Sequence, residues 1–348
     1  MPSIPKSKGQ QQQDAEGAPI TITSHLAKFD LVGIVLFAGT ACCIVTAISF
    51  GGALYAWNSG RIIALLVLAA VLCISLCIQQ GLCLFTNRAN QFFPVHVFKS
   101  YEMCILFLQV AAGGASAMIP IFFIPLFFQF VKGDSPLEGG VRLLPYICFL
   151  ILGLLVNGAL MVKLKYYLLW FTVGGAFMVT GGSLLYTVHL GTSTSRIYGY
   201  TVVLGFGIGL ILQTPFAVAQ SKVPAFDLGH LTAFITCGQI AGTVFGLAIS
   251  NSVFINIATD QIKAALPNLQ LAEVQSLIAG VGAVTFNSLD PADKKSVLDI
   301  LVDVIGKVYI MLIAAGALVT VSSLFMNRDR IDGAAGENNT IVETREKN

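Results

Sequence analysis

Acidic and basic residues along this 348-residue chain are collected into short clusters with long apolar runs between them. Eight stretches carry no Asp, Glu, Lys or Arg: 31–60, 62–87, 103–131, 143–162, 166–195, 197–221, 231–259 and 308–327. A helix rises about 1.5 Å per residue, so roughly 20 residues cross a hydrocarbon layer of about 30 Å. Every stretch meets that length. The runs are continuous and do not alternate, which predicts helices and not the strands of a barrel. The pattern therefore predicts an all-α polytopic membrane protein with eight transmembrane helices.

The polar segments between runs are mostly short, and two are informative. "VKGDSPLEGGVRLLP", Val131 to Pro145, packs acids, bases, glycines and prolines together. Gly133 and Asp134 read as a turn and Ser135 as a helix cap. Pro136 suits the first helical position, and Glu138 stands where a capping box needs it. Arg142, four residues on, is placed to pair back to Glu138, and Pro145 is expected to relax the incoming helix. The second segment, 260–307, reads as a long loop that makes a capping hairpin. From Pro291 it becomes an amphipathic helix, with Val297, Ile300, Leu301, Val304 and Ile305 on one stripe and Asp299, Asp303 and Lys307 on another. It is expected to run straight into the eighth helix.

Composition agrees with lipid as the solvent. Hydrophobic residues make up 55% and charged residues 11%, against roughly 25% charged in an average soluble domain. The net charge of +2 is too small for a nucleic-acid partner. Eight crossings put both termini on one side. That side holds twelve of the 20 Lys and Arg, and four of the other eight lie in or beside the long loop. The positive-inside rule then places both termini in the cytoplasm. Tyr55, Trp57, Tyr186, Tyr198 and Tyr200 fall near the outer interface, and Tyr166, Tyr167 and Trp170 near the inner one. Residues 1–28 read as a disordered cytoplasmic tail. The sequon Asn338-Asn339-Thr340 falls on the cytoplasmic side and is discounted. All eight cysteines sit in or beside apolar runs and read as packing residues.

No metal, cofactor or enzyme constellation is legible. The four histidines lie in or beside loops, HExxH and GxSxG are absent, and no acid or base stands mid-span. The polar residues of the runs are amides. Gln109, Gln129, Asn157, Gln213, Gln239 and Asn251 are the candidates for lining a substrate cavity, with hydrogen bonding between helices as the alternative for each. Gln213 is the first of these, because Pro215 follows two residues later and broken helices mark binding sites in transporters. Pro120 and Pro125 predict a bend in the third span. Gly205 and Gly209, and likewise Gly242 and Gly246, form small-xxx-small pairs. These predict close helix packing, or a helix that slides or bends.

Three stretches carry a resemblance: "SPLEGGVRLLP", "RIYGYTVVLGFGIGLILQTPFAVAQSKVP" and "HLTAFITCGQIAGTVFGLAISNSVF". They resemble the fourteen-span drug:proton antiporter branch of the major facilitator superfamily, especially the fungal toxin and multidrug efflux pumps. "FDLVGIVLFAGTACCIVTAISFGGALYAWNSGRIIAL" is similar to that branch's seventh span and the approach to its eighth. The resemblance runs from about residue 29 to 328 and implies spans seven to fourteen of such a pump. It implies two linking helices and a cytoplasmic loop over 29–101, a six-helix C-terminal bundle over 102–327, and a cytoplasmic tail over 328–348. The implied activity is proton-coupled export of small organic molecules across the plasma membrane, with the vacuolar membrane as the alternative. The first six spans of the family pattern are absent from the chain, so the resemblance also implies a missing N-terminal half. A truncated or degenerate protein that carries nothing is the competing expectation.

Overall fold

The computed structural model describes residues 30–52, 54–84, 86, 100–164, 166–222, 228–279, 286 and 288–326. The expected tails at 1–28 and 328–348, and the sequon, lie outside these residues. The described chain is helical, with one isolated bridge between Gly51 and Tyr55 and no strand among the described residues.

Among the described residues, eight helical units are long and apolar enough to cross a membrane. Spans one to four are Leu31–Phe50, Gly60–Leu82, Tyr101–Lys132 and Pro136–Met161. Spans five to eight are Tyr167–Tyr186, Thr194–Ser221, Leu228–Ala265 and Pro291–Leu324. Contacts between the ends fix an up-and-down order. At the end where span one begins, the near end, Asp30 meets Gln79 and Gln80 of span two. There too Glu102 of span three meets Lys222, just past span six. At the far end, Gly51 meets Asn256 of span seven and Arg142 of span four meets Tyr198 of span six.

Two spans are interrupted where the sequence leads one to expect it, a third where it does not, and a fourth stays whole. Span four turns at Arg142 and Leu143, just before Pro145, so a short helix Pro136–Val141 precedes the main one, Leu144–Leu164. Span six breaks at Gln213, between Thr194–Leu212 and Thr214–Ser221, with Pro215 in the first turn of the second piece. Span eight is the expected amphipathic helix, Pro291–Val308, leading into Ile310–Leu324, but a turn at Tyr309 separates the two where a straight run is expected. Span three is a single helix, Tyr101–Lys132, through both Pro120 and Pro125.

The long loop is shorter than the charges suggest. Span seven continues as helix to Ala265, past Asp260 and Lys263, and a further helix covers Leu271–Ala279. A 38-residue helix is about 57 Å long, well beyond a hydrocarbon layer of about 30 Å. Asp260 and Lys263 mark where this helix leaves the apolar layer, not where it ends.

Spans three to eight are stitched together through glycine. Gly242 lies against Ala111, and Gly246 against Ala115, joining span seven to span three. A Cβ added at Gly209 would come within 2.2 Å of the Leu150 carbonyl oxygen, and one at Gly205 within 2.5 Å of that of Tyr146, both in span four. Gly207, between them, faces span five instead, with Phe177 and Gly174 as neighbours. Span five carries two glycine doublets. Gly174 and Gly181 meet span six, while Gly175 and Gly182 meet span eight. Adjacent residues on a helix point about 100° apart, so a doublet opens two faces at one level.

Candidate functional site

The charged cluster at 131–145 is a far-end corner of the bundle. Gly133 takes a left-handed conformation (φ 68°) that ends span three. The capping box forms as expected: Glu138 N–H donates to Ser135 Oγ at 3.3 Å and Ser135 N–H donates to Glu138 Oε2 at 2.8 Å. Arg142 does not pair with Glu138. Its Nε donates to Asp134 Oδ2 at 2.7 Å, its Nη1 to the Tyr198 hydroxyl at 3.2 Å, and its guanidinium lies over the Phe128 ring. The helix turns at Arg142, and the Glu138 carboxylate is already committed to the cap. The side chain therefore swings to the acid on the preceding turn. The result is a brace between spans three, four and six.

The break in span six is built from two hydroxyl and amide contacts. Thr214 Oγ1 donates back to Leu210 O at 2.8 Å, and it accepts from Asn157 Nδ2 of span four at 3.1 Å. Both residues are buried. Pro215 has no N–H to offer Ile211, and its ring favours the interruption. Gln213 stands at the interruption itself with its side chain exposed.

The six candidate amides fall into two groups. Asn157 is committed to Thr214. Gln109, buried in span three, donates to Ser322 of span eight at 3.1 Å, while its Oε1 has no partner among the described residues. Gln129, Gln213, Gln239 and Asn251 make no side-chain hydrogen bond among the described residues, and none of the four is fully buried. Gln239 lies where spans three and seven meet at Gly114. Gln129 sits beside Gly139 at the start of span four. Asn251 lines a far-end cavity of about 420 Å³. The amides thus mark several levels of the bundle and do not converge on one pocket. A second, wider cavity of about 690 Å³ lies between Phe37 of span one and Leu228–Ile240 of span seven.

Two polar clusters escape a reading of the sequence. Asp30 is buried at the start of span one, where Oδ1 accepts from Gly33 N–H at 2.8 Å and from Gln79 Nε2 at 2.9 Å, and Oδ2 accepts from Gln80 Nε2. In the bundle, Lys222 pairs with Glu102 and lies over the Tyr167 ring, closing the near ends of spans three, five and six. Burial pulls the Lys222 ammonium down, but its bonds to Glu102 and Tyr167 outweigh burial and hold it above the ordinary lysine value. Both acids stand at the border of a charge-free run, where a charge ordinarily reads as solvated. Their partners are 49, 50 and 120 residues away. Among the described residues, no group of three or more His, Cys, Asp and Glu is placed to hold a metal ion.

No family model matches the chain. Curated proteins do. It is 39% identical over 330 residues to the phomenoic acid biosynthesis cluster MFS-type transporter of Leptosphaeria maculans, covering 90% of this chain and 52% of that protein. It is 40% identical over 312 residues to the MFS-type transporter pgmG of Aspergillus terreus, covering 90% and 56%. It is 37% identical over 329 residues to the efflux pump patC of Aspergillus clavatus, covering 94% and 58%. The chain spans a little over half the length of the curated relatives it matches. Along that portion, the resemblance to fungal efflux transporters of the MFS type is borne out.

Proposed function

We propose that this chain forms the C-terminal bundle and linking helix pair of a transmembrane efflux transporter for small, mostly apolar organic molecules. In the complete protein, an N-terminal bundle would complete the cavity and protons would drive exchange. The single observation that carries the reading is the similarity over nine-tenths of the chain to proteins named as MFS-type transporters and efflux pumps. The fold supports it physically. An unpartnered amide in hydrocarbon costs several kcal/mol, so Gln129, Gln213, Gln239 and Asn251 need water, substrate or further protein beside them. Gln213 is the foremost substrate contact, because the helix break at Pro215 sets it apart from the packed faces of span six. Asn157 and Gln109 act mainly by holding spans four and eight. Pro145 and Pro215 are the flexible points, and the capped corner at Ser135, Glu138 and Arg142 positions spans three and four. The protein sits in the plasma membrane with both termini cytoplasmic, so the far end is outside.

The test is dye efflux in a yeast strain lacking its own drug pumps. This chain is expressed alone and joined behind the N-terminal portion of the Aspergillus terreus relative, and retained Nile red is measured. The joined form should lower retention in a manner abolished by a protonophore. Gln213→Ala should impair efflux at unchanged membrane abundance. Equal retention in all strains, with the joined protein folded and at the cell surface, would reject the transporter reading and leave a membrane protein that carries nothing.

A further inference from the structure

The two cavities beside span seven differ in what their walls still need. In the wider one, near the start of span seven, Thr232 Oγ1 donates to Leu228 O and Thr236 Oγ1 to Thr232 O. Its hydroxyls are satisfied within their own helix, and what remains is an apolar surface that lipid can cover.

The far-end cavity is smaller and chemically unfinished. Span one contributes Ser49 and Phe50, span three Phe122, span seven Asn251 and Phe254, and the helix Leu271–Ala279 contributes Gln275. Among the described residues, the Asn251 side chain has no hydrogen-bond partner and no charged side chain lines the space. A volume of about 420 Å³ lies within the range of small-molecule sites, roughly 300–1,000 Å³. Phe122 and Phe254 each stack edge-on against Phe123, which fixes both rings as walls. The cavity also has a fixed rim. Asn256 Nδ2 donates to Gly51 O at 3.1 Å and to Ser252 O at 2.8 Å, pinning the end of span one to span seven one turn beyond Asn251.

We propose that this cavity is a binding site for an uncharged aromatic amphiphile, lodged between the linking pair and the bundle at the far end. Its rings lie against Phe50, Phe122 and Phe254, and its hydroxyl or carbonyl group meets the Asn251 amide. A lipid acyl chain fills the volume without satisfying that amide, whereas an aromatic molecule with one polar group does both. The site deepens the export reading by placing a substrate-class station on the release side, outside the space between two bundles. Binding is measured without transport, so failure of the dye-efflux test and failure of this proposal are separate results.

The probe is 4-(hydroxymethyl)benzophenone, photolysed with the full chain in phosphatidylcholine nanodiscs, with labelled peptides mapped by mass spectrometry. Label should concentrate on 122–126, 251–255 and 275–279. Asn251→Leu should cut that label about fivefold, the worth of one net hydrogen bond, with label on the exposed Leu66 and Val67 of span two unchanged. Ser49→Phe, which fills the cavity with Asn251 intact, should cut it as well and covers the case in which the Asn251 variant fails to fold. Label that follows lipid exposure, and that neither variant changes, would overturn the proposal and leave a lipid-filled gap.

Discussion

Spans five and six touch through backbone, and spans one and two through side chains. Of the apolar window in span six, 61% is buried, against 17% in spans one and two. Many glycines of spans five to eight, among them Gly174, Gly181, Gly205, Gly209 and Gly242, face backbone atoms of their neighbours, while Gly60 and Gly81 of span two face nothing within 4 Å. Lipid tails are as apolar as leucine, so burying leucine in a membrane gains little, and close backbone approach has to supply the dispersion energy. The glycine contacts therefore fit spans three to eight closely to one another. Spans one and two, the proposed linking pair, are an attachment, held to each other by Asp30 and to span seven by Asn256.

The sharpest way to break that comparison is to add volume on both sides of it. Gly209→Leu places a side chain where even a Cβ meets the Leu150 carbonyl at 2.2 Å, and Gly207→Leu does the same against span five. Backbone cannot step aside as a side chain does. Each should cost about 3 kcal/mol or more and should abolish the monodisperse peak in fluorescence-detected size exclusion. Gly81→Leu should leave that peak intact. If all three variants behave alike, the distinction between a fitted bundle and a loose pair is wrong.

Next in size is the Glu102–Lys222 pair, whose side chains are 17% and 18% exposed. Its loss should fall between the ~0–1 kcal/mol of a surface pair and the ~3–5 kcal/mol of a buried one. Lys222→Met strands the carboxylate and should be the worst single change, and adding Glu102→Gln should recover part of the loss in thermal unfolding. The folded pKa of Lys222 is raised. Its contribution is therefore fully present below the unfolded value near ~10.4 and is lost only as pH rises through the folded value. The gap between parent and Lys222→Met should stay flat from about pH 6 to about pH 9.

How much of this was legible beforehand follows from what a linear pattern can carry. Eight spans were legible because a membrane excludes charge, and the helix start at Ser135 because a capping box is local. The break at Gln213 was legible because proline acts on its own backbone. Arg142 departs from its expected partner because spacing along one helix ignores a turn, and the turn gives Asp134 and Tyr198 the better geometry. The loop at 260–307 is shorter than its charges suggest because charge reports the solvent around a helix and not its end. The doublets Gly174-Gly175 and Gly181-Gly182 carried a usable signal, seven residues apart, but small-xxx-small spacing alone does not show that one helix serves two partners. The amides were legible as polar residues in lipid. Which of them would find partners was not, since Thr214 and Ser322 lie 57 and 213 residues from theirs.

Within the linking pair, Asp30→Asn tests whether the attachment is polar. The carboxylate takes three N–H donors, and an asparagine would turn one acceptor into a donor facing them. A bond to a charged group is worth about 1.5–3 kcal/mol net, so the expected loss is about 2 kcal/mol. Hydrogen exchange should quicken in spans one and two and stay unchanged in spans five and six. Exchange that quickens throughout would make the pair part of the bundle's cooperative unit.

The smallest effect belongs to the tie between the two bodies. Asn256→Ala removes the bond to Gly51 O and leaves its other partners, Ser252 O and Oγ, within their own helix. Gly51 ends span one, at a level where water can take over the freed carbonyl, so the cost should be about 1 kcal/mol. Gly52 follows with a φ of +78°, and it fits only because it has no side chain to meet the Asn256 amide. Shortening residue 256 should therefore relax the turn as well as untie it. Exchange should quicken at 47–55 alone, with less change than Asp30→Asn produces. A larger effect from Asn256→Ala would mean that the far-end tie, and not the acid at the near end, is what holds the linking pair in place.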